Sequence, residues 1–403
     1  MCSVIEEAHQ HALTRRRLLG ASLATGAAMA GAATVGGDTA AASTAVRGQR
    51  PEGSKHHRTR LVLLGTAGGP MTWVYPHNGA MPAREGIASA VVVEDRVYLV
   101  DCGLGVARQL RLADLGKEGD FAGFEALEAI FLTHLHSDHT MDCFNIPLTG
   151  WYHGRPGLPP IDVYGPGDRG ALPPVYGAGD VEVINPENPT PGIEAMTEYL
   201  IQAFATDIND RMRDSRKPGI RTLLTPHDVL PPSGTVADPS TDTAPDMDPF
   251  LVMEDDRVRV TATLVSHGAV YPAYAFRFDT NDGSIVFSGD TAPCRNLTRL
   301  ARDTDVLVHE VIDAAWVNAL YGDPPYSLEE EGFIQHLLYS HTTIEQVGPV
   351  AEAAGARTLV LSHLAPANNP HKRWLGAKKG FSGRLIVGED LMEIGVGRRQ
   401  RRR

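Results

Sequence analysis

The chain has 403 residues, 42% hydrophobic and 21% charged, with four cysteines and a formal charge of −12. Those proportions exclude a disordered chain and leave room for one large domain or two ordinary ones around a sizeable core. Five arginines lie in 398–403; −12 less those five charges leaves −17 for the rest, a poor base for non-specific polyanion binding.

The first feature in chain order is a leader. Thr14-Arg15-Arg16-Arg17-Leu18-Leu19 precedes an Ala/Gly-rich stretch running to Gly37, and Ala40-Ala41-Ala42 supplies a small-residue cleavage site. The pattern resembles a twin-arginine export signal, and so much alanine and glycine makes a weak hydrocarbon-core helix. Residues 1–43 are read as the leader and 44–58 as a polar, basic linker. The expected setting is periplasmic or extracellular, reached through the twin-arginine machinery, with no stable membrane insertion after cleavage. Beyond Cys2, the cysteines are Cys102, Cys143 and Cys294. An odd number without a C-x-x-C pair argues against a disulfide framework.

Residues 59–397 read as one domain, followed by an arginine-rich tail, 398–403. A buried strand over 61–64 ends in a glycine-rich loop, 65–70, which lacks the Lys-Ser/Thr of a phosphate-binding loop and reads as a tight turn. Residues 88–94 and 96–101 suit a hairpin turning at Glu94-Asp95, and 106–115 has helical spacing that stops at Gly116. A buried strand at 129–133 follows. From 151 to 253 the composition changes, with 15 of the 28 prolines between Pro156 and Pro245. This stretch reads as an insertion covering the site, with one amphipathic helix over 193–213. Strands are expected at 257–266, 274–279, 284–288, 306–310 and 358–361, and a helix over 344–354 stopped by Gly355. Strand and helix alternating, with polar residues at strand ends, is the pattern of layered α/β proteins.

The strand at 129–133 runs into His134, His136, Asp138 and His139, in the order H-x-H-x-D-H. Alternate positions of an extended segment point the same way, so His134 and His136 can share one cation. Asp138 and His139, on the bend that follows, can turn toward another. Imidazole and carboxylate suit a borderline cation such as zinc, and manganese or iron accept the same donors. Single candidates follow three more predicted strands: His267 after 260–265, Asp290 after 284–288 and His363 after 358–361. Strand ends converge on one edge of a sheet. A carboxylate must bridge two cations roughly 3.5 Å apart, and Asp290 is the candidate.

H-x-H-x-D-H, the later single histidine, Ser288-Gly289-Asp290-Thr291 and Ser362-His363 together resemble the metallo-β-lactamase superfamily, over about 61–396 apart from the insertion. The resemblance implies an α/β fold, the four-layer αββα sandwich, with a dinuclear metal site on one edge. It implies His134, His136 and His267 on one divalent ion, Asp138, His139 and His363 on the other, Asp290 between them, and Asp101 as a supporting aspartate. His309-Glu310 and Ser340-His341-Thr342 resemble the ribonuclease Z-like branch, which includes some arylsulfatases. There Glu310 would orient His341 as proton donor, although Val311-Ile312 stands where the branch has Ala-Thr.

The expected activity is hydrolysis of a small-molecule ester, sulfate or phosphodiester, with lactone as the alternative. Asp138 would hold the attacking hydroxide, and His341 would meet the leaving oxygen. Only 23 residues separate His267 from Asp290, too few for the long tRNA-gripping arm of a true ribonuclease Z. With the acidic body and the leader, this points away from nucleic acid. Homodimers are common in the family. A di-iron redox protein would carry Glu where His136 stands, and a non-catalytic binding module would have lost ligands. Trp73, Tyr75, His77, Trp151, Tyr152 and His153 are candidates for lining the pocket, although packing is the expected role of each aromatic taken alone.

Overall fold

The computed structural model describes residues 57–73, 84–116, 123–177 and 179–397. The leader, most of the linker, Tyr75, His77 and the arginine tail lie outside them. The N-terminal part of the domain supplies strands β1 (Thr59–Gly65), β2 (Ala88–Val93), β3 (Arg96–Val100), β4 (Leu127–Phe131), β5 (Ile161–Pro166) and β6 (Leu224–Val229). The C-terminal part supplies β7 (Phe250–Glu254), β8 (Val258–Leu264), β9 (Tyr274–Thr280), β10 (Ser284–Phe287), β11 (Val306–Ile312), β12 (Thr358–Ala365), β13 (Arg384–Val387) and β14 (Met392–Val396).

These strands form two seven-stranded sheets, in the orders β14-β1-β2-β3-β4-β5-β6 and β13-β12-β11-β10-β9-β8-β7. Each is mixed. β3 to β6 run parallel in the first sheet, and β10 to β13 in the second. The period-two alternation of side chains sorts the apolar residues into layers. In β1, Leu61 and Leu63 face the seam between the sheets, whereas Val62 and Leu64 face the outer side of the first sheet. Phe131 meets Phe276 and Phe278 across the seam, with ring centroids 5.5 and 5.1 Å apart.

Helices Val106–Ala113, Ile193–Ala203 and Ala205–Arg213 pack on the outer face of the first sheet through Leu110, Ile201 and Ile208. Helices Arg295–Leu300 and Ile344–Ala353 cover the second through Leu297 and Val347. The result is the expected αββα sandwich. Its two rims differ. Where the parallel strands begin, the sheets are tied by Tyr98 Oη donating to Asp255 (2.6 Å), by Arg96 with Asp256 (2.6 Å), and by Arg257 with Glu94. Where they end lies the site.

The proline-rich stretch, expected as an insertion, is woven into both sheets. It supplies β5 and β6 to the first sheet and β7 to the second. Pro226 sits within β6, an edge strand, where one N–H fewer costs no ladder bond. The helix expected over 193–213 breaks at Phe204, whose ring packs on Phe144 at 5.6 Å. No described helix is long and apolar enough to cross a membrane.

Candidate metal centre

Three of the candidate side chains stand three residues beyond a strand: His134 after β4, His267 after β8 and Asp290 after β10. Asp101 directly follows β3, while Glu310 lies in β11 and His363 in β12. The chain turns into a short helix, Ser137–Thr140, directly after His136. His134 and His136 therefore lie on extended backbone and Asp138 and His139 on the helical turn.

The structure brings all seven expected donors together. His134, His136 and His267 form one group, and Asp138, His139, Asp290 and His363 another; within each, the donor atoms lie no more than 4.8 Å apart. One atom faces both. Asp290 Oδ2 is 3.9 Å from Nε2 of His134 and of His267, and 3.3 Å from Nε2 of His139 and of His363. Asp138 Oδ2 lies 3.3 Å from His363 Nε2 and 3.6 Å from His139 Nε2.

Outer contacts aim these rings. His139 Nδ1 donates to Asp101 Oδ2 (2.9 Å), and the Thr133 N–H holds the other carboxylate oxygen (2.8 Å). His267 Nδ1 donates to the Ser340 carbonyl (3.0 Å). In each case Nε2 is left pointing into the cluster, the usual arrangement of a metal-binding imidazole. Asp101 and His363 hold φ of 61° and 46°, a left-handed conformation that costs about 1–3 kcal/mol outside glycine and gathers at functional sites. At Gly68 a Cβ would come within 2.6 Å of His363 Nδ1, so only glycine fits beside that ring. The next residue, Gly69, donates its N–H to Asp138 Oδ2 (3.1 Å), which makes the 65–70 loop a wall of the site rather than a mere turn.

The electrostatics of the two groups differ. Burial, reinforced by neighbouring imidazoles, holds His134 and His267 well below the ordinary histidine range. His139 moves the other way: burial opposes its charge, but Asp290, Asp101 and Asp138 together push its pKa well up. Burial also opposes charge on Asp290 and Asp138, yet His363 and His139 beside them keep both carboxyls below the usual range.

Do these residues fit divalent cations? Buried polar atoms normally find partners, and an orphan costs about 1–3 kcal/mol. Here His134 Nε2, His139 Nε2 and Asp290 Oδ1 have no hydrogen-bond partner. Orphaned imidazole nitrogens converging on one carboxylate are what a cation pair would satisfy. The donors fit.

Beside the cluster, Glu310 Oε1 accepts from His341 Nδ1 (3.2 Å), the Thr342 N–H (2.9 Å) and the Thr291 N–H (3.1 Å). One carboxylate thus fixes both the Asp290 loop and the His341 loop. Burial works against charge on His341, but Glu310 dominates and pushes it up to about 9.

The expected lining residues fare differently. Trp73 packs edge-on against Trp316 and donates to the Gly68 carbonyl (2.9 Å), supporting the loop beside His363. Trp151 is fully buried in the outer core, with Nε1 donating to the Pro218 carbonyl; Tyr152 lies under Arg211 and Lys217; His153 meets Phe124 and the Thr149 carbonyl. Trp151 is a core residue, His153 is half-buried and Tyr152 is exposed, because the helix Asn145–Gly150 carries the chain off the rim. Sequence reasoning missed His336. It lies on helix Leu328–Tyr339, with ring centroids 6.0 Å from His136, 5.6 Å from His267 and 5.7 Å from His341. Burial, then His341 and His136, push it down to about 4. Its five-residue spacing from His341 is a weak cue, with no strand end to mark it.

Residues 83–331 match the sequence model of the Metallo-beta-lactamase superfamily, and the chain belongs to that superfamily of metal-dependent hydrolases. Among curated relatives, a ribonuclease Z of Mycobacterium bovis is 28% identical over 340 residues, covering 83% of this chain and 98% of that protein. A ribonuclease Z of Mycolicibacterium gilvum is 29% identical over 318 residues, covering 78% and 91%. The crystal structure of human tRNase Z, short form, superposes with a TM-score of 0.52 at 19% identity, over 84% of this chain and 99% of that one. A metallo-beta-lactamase fold protein from Bacillus subtilis gives 0.50 at 17%, over 83% and 99%. These superpositions carry the fold, and the curated relatives place the chain in the ribonuclease Z-like branch. They also overturn the expectation of no nucleic-acid partner, since the relatives spanning most of the chain are ribonucleases. Net charge was the wrong guide. At physiological ionic strength a field fades over about 8 Å, so the sum over the chain says little about one rim.

Proposed function

We propose that the chain is a dinuclear hydrolase of phosphodiester bonds, with RNA among its substrates. The observation that carries this reading is the position of Asp290 Oδ2, within 3.9 Å of imidazole nitrogens from both donor groups. His134, His136 and His267 would hold one ion, Asp138, His139 and His363 the other, with Asp290 shared; zinc is the first choice. Bound there, two divalent cations bring a water's pKa near neutrality and polarise a substrate oxygen.

The chain's own groups do the rest. Asp138, braced by the Gly69 N–H, orients the attacking oxygen. His341, kept protonated by Glu310, hands a proton to the leaving oxygen, a step worth about 10²–10⁴ in rate. Asp101 holds the His139 ring. The leader-like segment supports an exported setting, and the ribonuclease Z relatives favour phosphodiester over sulfate ester.

The test is hydrolysis by the zinc- or manganese-loaded protein of bis-p-nitrophenyl phosphate and a short RNA, beside p-nitrophenyl sulfate and a lactone. Preferred turnover of the phosphodiesters supports the proposal. Turnover of the sulfate or the lactone alone replaces it with the arylsulfatase-like or lactonase reading.

A further inference from the structure

We infer that His336 is a substrate-binding residue that donates an N–H to an anionic oxygen of the scissile group. The inference rests on the hydrolase reading above, and it concerns a residue that belongs to neither donor group around Asp290.

The argument is one of position. His336 comes from helix Leu328–Tyr339, which has no fully buried residue and brings this ring against the histidines of the site. Its start is fixed by a capping box between Ser327 and Glu330. On one side Phe333 meets Tyr321 of the helix Ala314–Tyr321, and on the other Tyr176 packs close to Gly332. The helix is held, and His336 with it.

The ring stands over the corner formed by His136, His267 and His341. Its distances to the three are nearly equal, and its donor atom lies within 4.8 Å of those of His267 and His341. Around this corner His136 and His336 are the partly exposed rings, whereas His134, His267 and His341 are buried. The open side of the site is therefore where His336 sits. Its ring nitrogens make no hydrogen bond with any described residue, unlike those of His139, His267 and His341. A half-buried imidazole with no protein partner, above the all-histidine group and beside the proton donor, is placed to receive a substrate oxygen. An ester of phosphoric acid offers such an oxygen; a neutral lactone offers a weaker one.

The geometry separates its task from that of His341. His341 is clamped to Glu310 and serves the leaving oxygen, so its loss lowers kcat most for poor leaving groups. His336 grips an oxygen that stays on phosphorus, so its loss acts on binding and by the same factor for every leaving group.

The experiment uses the metal-loaded full chain with His336→Ala, His336→Phe and His336→Asn. Metal content is measured first, then affinity for inorganic phosphate by calorimetry, then kinetics on aryl phosphodiesters of graded leaving-group pKa. Both His336→Ala and His336→Phe are expected to keep their metal and to bind phosphate about tenfold more weakly, as loss of a hydrogen bond to a charged group predicts. KM should rise with kcat little changed, and His336→Asn, which keeps an N–H donor, should recover part of the loss. Unchanged phosphate affinity in both variants, or a wild type that binds no phosphate, overturns the inference. A wild type that binds phosphate yet hydrolyses no ester refutes the proposed function instead, so the two failures are distinguishable.

Discussion

The two halves of the centre are built differently. His134, His136 and His267 offer nitrogen alone, and burial keeps His134 and His267 neutral well into the acid range. Asp138, His139, Asp290 and His363 mix oxygen with nitrogen, and carboxylates surround a His139 that holds its proton. The first half is ready to bind as it stands. The second must release a proton before a cation can enter, and depends on Asp101 to place the ring that releases it. Affinity in the one is set by desolvation, and in the other by charge.

Breaking the link between the halves should have the largest effect. Asp290→Ala is expected to lose most bound metal and nearly all turnover, beyond the roughly 10–100-fold cost of losing an outer partner. Metal analysis and single-turnover kinetics decide it; full metal with full rate would refute the bridging role. His341→Ala should keep both ions and lose about 10²–10⁴ in rate. Its partner gives a pH signature. His341 acts while protonated, so activity should fall as pH climbs past about 9, and Glu310→Gln should move that fall to lower pH. An unmoved alkaline limb would detach Glu310 from His341.

Asp101→Asn sharpens the contrast itself. The mixed half should lose roughly 10–100-fold in metal affinity while the all-nitrogen half is spared, which stepwise titration with a competing chelator can resolve. Equal weakening of both steps would show that Asp101 serves the fold and not His139. The smallest effect is on proton release. Filling the mixed half should expel more protons than filling the other, so on acidification it should empty first. Calorimetry in buffers of different ionisation enthalpy measures this, and equal release in both steps would count against it.

How much of this was legible beforehand follows the same division. The 134–139 bend announced itself because four donors crowd six positions after an apolar run. His267, Asp290 and His363 could be picked out because each follows a predicted buried strand, and ends of strands gather at one rim. Asp101, Glu310 and His341 came from resemblance alone. His336 could not be found in that way, since a histidine inside a helix is indistinguishable in sequence from any half-buried one. The proline-rich stretch misled for a related reason. Proline is excluded from central strands but free on an edge, and Pro226 sits in β6, which pairs on one side only. Trp151 was offered for the pocket by its nearness in sequence to His139, but packing, the role expected of a lone aromatic, is the one it has, since one short helix turns it into the core.

The far rim of the sandwich is fastened by the chain itself, through Tyr98 with Asp255 and Arg96 with Asp256. At the near rim, the first sheet contributes the 134–139 bend and the second His267, Asp290 and His363, beside backbone bonds from Tyr274 N–H to the Thr133 carbonyl (2.8 Å) and from Leu364 N–H to the Thr66 carbonyl (2.9 Å). Cations lodged there would serve as rivets between two plates. Chelation should then loosen the sandwich from one end only, as a hinge opens, with amide exchange quickening around 134–139 and 288–291 while strands near Tyr98 stay protected.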